Sequence, residues 1–166
     1  MASDELFDKN DHSGPTELPR YPVEFRDPDP YFDDIAKLTL NICEVSSVVV
    51  TFMDARGNFI KAAAGVEFYM DAQKNFMCNL LIEKTNYIEV EDTLKYEQFK
   101  FSPLLLENPI MRFLGKMPIM SRRGTLLGSI CLMNQKSRKL NKDQITSLEI
   151  ISRIITAHLE SNKLIH

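Results

Sequence analysis

The chain has 166 residues, 44% apolar and 26% charged, with a net charge of -3. That length supports one domain with a core of its own, not two comfortable ones. A negative balance with scattered Lys and Arg gives no electrostatic case for nucleic acid, because a phosphate backbone is met by a basic surface.

Residues 1–30 hold little core material. Two Asp-Pro pairs, Asp27-Pro28 and Asp29-Pro30, punctuate their end, and the segment reads as an extended or partly disordered acidic arm. A single domain is expected over 31–162, with 163–166 as a tail. Asp29 can cap the first helix, and Pro30 suits its first position because the missing N–H would be unpaired anyway. Phe32, Ile35, Leu38 and Ile42 then share a face. The β-branched run over 45–53 predicts a strand. A turn at Asp54-Ala55-Arg56-Gly57 returns the chain over 58–63 as a hairpin.

Residues 71–83 suggest a short helix, 87–90 a short strand, and 94–109 an irregular stretch broken by Pro103 and Pro109. The stretches 110–120 and 125–133 predict paired strands, with Ser121-Arg122-Arg123-Gly124 between them. Gly124 and Gly128 do not form a phosphate loop, because no Lys and helix N-terminus follow them. Gly128 lies inside a strand, where a missing side chain implies close approach of another backbone. Arg122, Arg123, Lys136, Arg138, Lys139 and Lys142 read as solvated loop charges.

The 125–133 strand alternates without charge on either side. Leu126, Gly128, Ile130 and Leu132 point one way; Thr125, Leu127, Ser129, Cys131 and Met133 point the other. Both faces of the sheet are therefore expected to be covered. Val49, Thr51 and Met53 continue the second face, which carries small, weakly polar groups. Such a face suits either a small-ligand cavity or a filled core with satisfied hydroxyls. The last helix is announced by Leu140, Asn141, Gln144 and Ile145, the pattern of a capping box with a hydrophobic staple. Leu148, Ile151, Ile155 and Leu159 form one stripe on it. Ile150, Ile154 and Ala157 form a second, more than one sheet face needs.

The cysteines, Cys43, Cys78 and Cys131, are odd in number and widely spaced. No CxxC pair exists, so neither a disulfide framework nor a metal site is expected. No apolar run approaches the roughly 20 residues of a membrane span, and the polar start MASDELFDKNDHSG is the opposite of a signal peptide. The expectation is a soluble, cytoplasmic protein without nucleic-acid or membrane partners. His12, His158 and His166 form no catalytic constellation.

Four segments together resemble the GAF domain, a small sensory module of signalling proteins. They are VVVTFMDARGNFIKAAAG, YIEVEDTLKYEQFKFSPLL, IMRFLGKMPIM and RGTLLGSICLMN. The resemblance implies an α+β fold, PAS-related, with a central antiparallel sheet of five or six strands. Helices pack on that sheet, the N- and C-terminal ones on one face. It also implies a ligand-lining set. Thr51, Ser129 and Cys131 would form its floor, and Phe68, Phe76, Phe99 and Phe113 an aromatic surround. Cys78 would stand at its wall, and Asp92 and Arg112 at its rim. Asp92 can equally cap the next turn, and Arg112 can equally pair with a carboxylate.

No cofactor is implied. Of the cyclic-nucleotide signature only Asn134 and a shifted Lys136 are present, and no histidine falls where bilin-binding members need one. The function so implied is a non-catalytic small-molecule-sensing or regulatory module in bacterial-type signalling. It would be homodimeric through Ile150, Ile154 and Ala157, with output through a signalling partner protein. Two alternatives stand beside it. One is a thiol enzyme of the free methionine sulfoxide reductase type, using Cys78 and Cys131. The other is a ligand-free interaction adaptor whose own side chains fill the cavity.

Overall fold

Asp29 opens the first helix as its sequence predicts. Its carboxylate accepts from the Tyr31 N–H at 3.0 Å, Pro30 follows in the first turn, and α1 runs Pro30–Cys43. The computed structural model describes residues 18–65, 86–99, 111–162 and 164–165. The expected helix over 71–83 and most of the irregular stretch at 94–109 lie outside them. The buried stripe of α1 is Phe32, Ile35, Ala36, Thr39 and Cys43. Leu38, expected inward, is 50% exposed, because the stripe follows the 32–36–39–43 row and leaves it on the flank.

Five strands follow: β1 (Ser47–Asp54), β2 (Gly57–Gly65), β3 (Ile88–Val90), β4 (Phe113–Met120) and β5 (Leu126–Asn134). They form one antiparallel sheet in the order β2-β1-β5-β4-β3. This is the α+β architecture the sequence implies. The hairpin between β4 and β5 closes as expected. The Gly124 N–H donates to the Ser121 carbonyl at 3.0 Å, and Gly124 adopts φ +84, a conformation that costs a glycine little.

The last helix, α2, runs Lys142–Ser161. Asn141 Oδ1 accepts from the Gln144 N–H at 2.8 Å, and Gln144 Oε1 accepts from the Asn141 N–H at 3.0 Å. Two otherwise unpaired donors are thus satisfied reciprocally. Leu148, Ile151, Ile155 and Leu159 join Phe32, Ile35, Ala36 and Cys43 of α1 in one core cluster over β1, β4 and β5. Both helices therefore lie on the same face of the sheet. Ser152 Oγ donates to the Pro118 carbonyl at 2.9 Å and Thr156 Oγ1 to the Met120 carbonyl at 2.7 Å, tying α2 to β4.

Two irregularities change which side chains face where. Ile119 pairs with Gly128 but Met120 with Leu126. Leu127 is the extra residue of a bulge, so it joins the helix-side cluster instead of following Ser129 to the other face. In β2, Val50 pairs with Ala62 and Thr51 with Ile60, which leaves Lys61 as the extra residue. Lys61 is only 7% exposed. Its ammonium lies 4.4 Å from the Phe25 ring centroid and donates to the carbonyls of Phe25 and, at 2.7 Å, Asp27.

Those carbonyls belong to the expected arm, which from residue 18 is part of the fold. Val23–Arg26 form a short 3-10 turn, and Phe25 is buried in the helix-side cluster. Tyr21 stacks on Phe25 at 4.5 Å and donates to the Leu127 carbonyl at 3.2 Å. Arg26 grips Asp54 through bonds of 2.9 and 3.1 Å. A segment rich in proline and aspartate is held here by contacts with Phe32, Phe52 and Phe59, not by periodicity.

At Gly128 the backbone of β1 leaves no room for a side chain on β5. A Cβ there would stand 2.0 Å from the Thr51 carbonyl oxygen and 2.8 Å from Phe52 Cα. Gly128→Ala should therefore destabilise the domain by about 3 kcal/mol or more, since backbone cannot swing aside as a side chain can. Chemical denaturation measures this, and an unchanged midpoint would contradict the geometry.

Candidate functional site

The face of the sheet away from the helices is also buried. Val49, Val90, Phe99, Met111, Leu114, Cys131 and Met133 form its cluster, with Ile60, Ile88 and Tyr96 packed against it. Across this apolar floor runs a short polar strip. Register sets Thr51 beside Ser129 and Val49 beside Cys131. Thr51 Oγ1 and Ser129 Oγ are 3.0 Å apart, and Ser129 Oγ lies 3.5 Å from Cys131 Sγ.

Thr51, Ser129 and Cys131 are at most 4% exposed. A buried hydroxyl without a partner is costly, so mutual bonding is what makes this strip tolerable. It also makes it adaptable. A hydroxyl rotates to donate or to accept, so the strip can present either role to a polar group laid on it. Three expected floor residues are thus brought together.

Asp92 and Arg112 satisfy one another. Arg112 donates from Nε at 3.2 Å and from a terminal nitrogen at 2.6 Å to the two Asp92 oxygens. Asp92 also accepts from the Leu94 N–H at 3.1 Å, capping the turn Thr93–Lys95. Both structural readings of these residues are therefore realised, one on the other. The bond from Arg112 holds the Asp92 carboxyl below its usual range against the effect of burial, with the Leu94 N–H helping. Thr93 Oγ1 donates to the Met111 carbonyl at 3.0 Å, so the pair is anchored to the strand-side floor.

Phe99 lies in the far-face cluster, edge-on to Tyr96 at 6.2 Å. Phe113 does not. It sits in the helix-side cluster with Met117 and Ile119, because the alternation of β4 sends 113, 115, 117 and 119 to the helices. Phe68, Phe76 and Cys78 lie outside the described residues. The same alternation carries Lys116 to the far side, where register sets it beside Cys131. The sequence reading missed Lys116; the 114–116–118 phase of β4 would have found it.

Cys43 is buried on the helix side, and burial pushes its thiol up to about 11, an unreactive form. His158 stacks on Tyr31 with centroids 3.7 Å apart and accompanies Asn162 at the end of α2. Among the described residues no group of three His, Cys, Asp or Glu could hold a metal ion. Among them, too, no helix is long and apolar enough to cross a membrane.

Comparison with known proteins agrees with this fold. The GAF domain family model matches residues 27–159. The chain belongs to the GAF family. This GAF domain is 21% identical over 134 residues to a cyclic di-GMP phosphodiesterase of Pseudomonas aeruginosa. That match covers 80% of the chain but only 23% of the larger protein. Among solved structures it resembles a domain assigned to a two-component sensor histidine kinase of Sinorhizobium meliloti. The TM-score is 0.62 at 16% identity, covering 85% of this chain and 93% of that one. It also resembles the blue-light-absorbing form of the Thermosynechococcus elongatus PixJ GAF domain. There the TM-score is 0.61 at 13% identity, covering 86% and 93%. At these identities the structural likeness is one of fold. The family and its relatives support a signalling sensory module.

Two outcomes check the site. Thr51→Val and Ser129→Ala should each cost about 1 kcal/mol, with a double-mutant cycle showing coupling of about 0.5 kcal/mol or more. Strict additivity would mean the hydroxyls do not bond. Asp92→Asn should destabilise at neutral pH. The folded carboxyl is depressed, so its contribution is present above the ordinary value of 3.8 and fades as pH falls through the folded value. The gap between variant and wild type must narrow in acid. A constant gap in a pH series of thermal melts would refute the ion-pair account.

Proposed function

We propose that this GAF domain is a non-catalytic sensing or regulatory module. It would hold a small molecule against the face of the sheet that bears Thr51, Ser129 and Cys131. The observation that carries this reading is the polar strip itself. Hydroxyls that can turn to donate or to accept suit a ligand with one or two polar groups on an apolar body. The phosphodiesterase relative supports a regulatory role in signalling. The thiol-enzyme alternative rests on Cys78 and Cys131, and Cys78 lies outside the described residues; Cys43 lies across the sheet from Cys131 and cannot be its resolving partner.

The module would act as a homodimer. Ile150 and Ile154 are 42% and 45% exposed on α2, and Ala157 is exposed beside them. They form a stripe that nothing described in the chain covers. Beyond Ala157 lies a groove of about 550 Å³ between α2 and β4, with Met117, Met120 and Arg153 in its lining. A second copy of α2 laid along the stripe would bury both isoleucines, with output passing to a signalling partner protein.

A native mass spectrum of freshly purified protein tests both halves. A mass excess per subunit that disappears on denaturation supports the ligand. A bare mass that also gains nothing from a metabolite library favours the adaptor reading. Ile154→Glu should convert a dimer to a monomer in light scattering while leaving the circular dichroism unchanged. A wild type that stays monomeric at high concentration removes the dimer.

A further inference from the structure

The outer edge of β4 is only partly covered by a strand. Its pairing with β3 is confined to Leu114, Gly115 and Lys116, so among the described residues no strand lies beside 117–120 on that side. Helix α2 stands there instead. The Ser152 and Thr156 hydroxyls donate to the carbonyls of Pro118 and Met120, and Pro118 has no N–H to offer. An edge with its carbonyls taken and a donor missing offers little to an added strand. Whatever enters the groove between α2 and β4 is therefore held by side chains, not by a ladder of backbone bonds.

The groove has surfaces of two kinds. Its volume is about 550 Å³, within the range of pockets that enclose a compact guest. Met117, Met120 and Ala157 give it an apolar floor, and Arg122 and Arg153 outnumber its one carboxylate, Glu149. Methionine adapts its shape to an apolar guest. Both arginines are exposed, and Arg122 shares its charge with Glu160 at 2.9 Å. Ser121 and Arg122 also line a smaller cleft, together with Arg123, Leu18 and Pro19. The chain thus enters the described fold at the positive end of the groove.

Seventeen residues precede that entry, MASDELFDKNDHSGPTE. They carry five carboxylates and one lysine. Leu6 and Phe7 are adjacent large apolar residues among them, flanked by Asp4, Glu5 and Asp8. An apolar pair between carboxylates complements an apolar floor between arginines. The reach is ample. Eleven residues lead from Phe7 to Leu18 and span up to roughly 35 Å when extended. Along α2 the groove runs from Glu149 to Ala157, about 12 Å of helix.

We propose that the groove between α2 and β4 is the docking site of the chain's own residues 4–8, with Leu6 and Phe7 on Met117, Met120 and Ala157 and the flanking carboxylates facing Arg122 and Arg153. The contact is made within one chain. The tether keeps the segment at high effective concentration, so a modest intrinsic affinity fills the groove. The charged part of the contact lies at exposed groups and is screened by salt. Ala157 belongs both to the groove and to the exposed stripe of Ile150 and Ile154. A docked segment and a partner helix on that stripe therefore compete for the same margin, which makes the segment a brake on association through α2. Docking itself depends neither on a ligand at the far face nor on a dimer, and a protein that proves monomeric leaves it standing.

Methyl NMR of the full chain, labelled at the methionine methyls, tests the proposal. Leu6→Ser combined with Phe7→Ser should move the Met117 and Met120 signals. Those of Met111 and Met133, buried on the far face, should stay in place. Asp4→Lys, Glu5→Lys and Asp8→Lys together should move the same two signals in the same direction, and added salt should carry the wild type part of the way there. A full chain with benzoylphenylalanine in place of Phe7 should cross-link on illumination to Met117 or Met120 of the same chain, as read from its peptides. Unmoved Met117 and Met120 signals in the first variant overturn the proposal. So do signals that follow protein concentration and not the segment, because a second copy then fills the groove. A cross-link that forms elsewhere or joins two chains overturns it as well. Should a variant fail to fold, the cross-link alone decides.

Discussion

The close contact of β1 with β5 sets what the rest of the domain can be. Strand β5 is central and buried on both sides, so its register cannot slip by one residue without turning its apolar and polar sets inside out. Gly128 locks that register, because only a residue without a side chain fits against the Thr51 carbonyl. Once it is locked, Thr51 must stand beside Ser129 and Val49 beside Cys131. The polar strip on the far face is thus a by-product of a backbone constraint felt at one glycine. The same register hands Ile130 and Leu132 to the helices, so both cores are fixed by one contact.

The sheet then works as a partition. One side is aromatic and aliphatic, closed by α1 and α2 and by the segment that precedes α1. The other bears the polar strip of Thr51, Ser129 and Cys131. Strands β1, β2, β4 and β5 each give side chains to both sides. Strand β3 is the shortest in the sheet and lies at its edge, bonded to one neighbour along its length. An element with so few ladder bonds moves at lower cost than the central strands. It also leads to Asp92 just beyond its end, which Arg112 binds.

Much of this was legible in the sequence, for local reasons. The cap at Asp29, the capping box at Asn141 and the turn at Gly124 are short-range chemistry, and each is where its residues place it. The five strands and their alternation followed from β-branched runs, and the polar strip from the uncharged alternation of β5. The failures share a cause. Leu127 changed sides because a bulge interrupts the alternation, and nothing in the run LLGSICLMN announces it. Phe113 was grouped with the ligand-lining aromatics by residue type, whereas strand phase decides its side. Leu38 fell off a stripe that followed another helical row. The segment at 18–27 looked like an arm because its composition is that of one. Its place in the fold comes from contacts with residues far away in the chain, above all Lys61, which local pattern cannot report. Phe68, Phe76 and Cys78 lie outside the described residues.

Lys61 has a further consequence. Its ammonium is held by the backbone oxygens of Phe25 and Asp27, with aromatic rings around it and, among the described residues, no carboxylate at contact distance. Every residue carries a carbonyl, so the acceptor half of this latch is written in the path of the chain, not in its letters. Substitutions at position 27 would leave it intact so long as the turn keeps its course. The donor half has no such freedom, because only a long cationic side chain set in a bulge reaches both oxygens. Drift on one side and rigidity on the other is the sequence signature this latch would impose on its relatives.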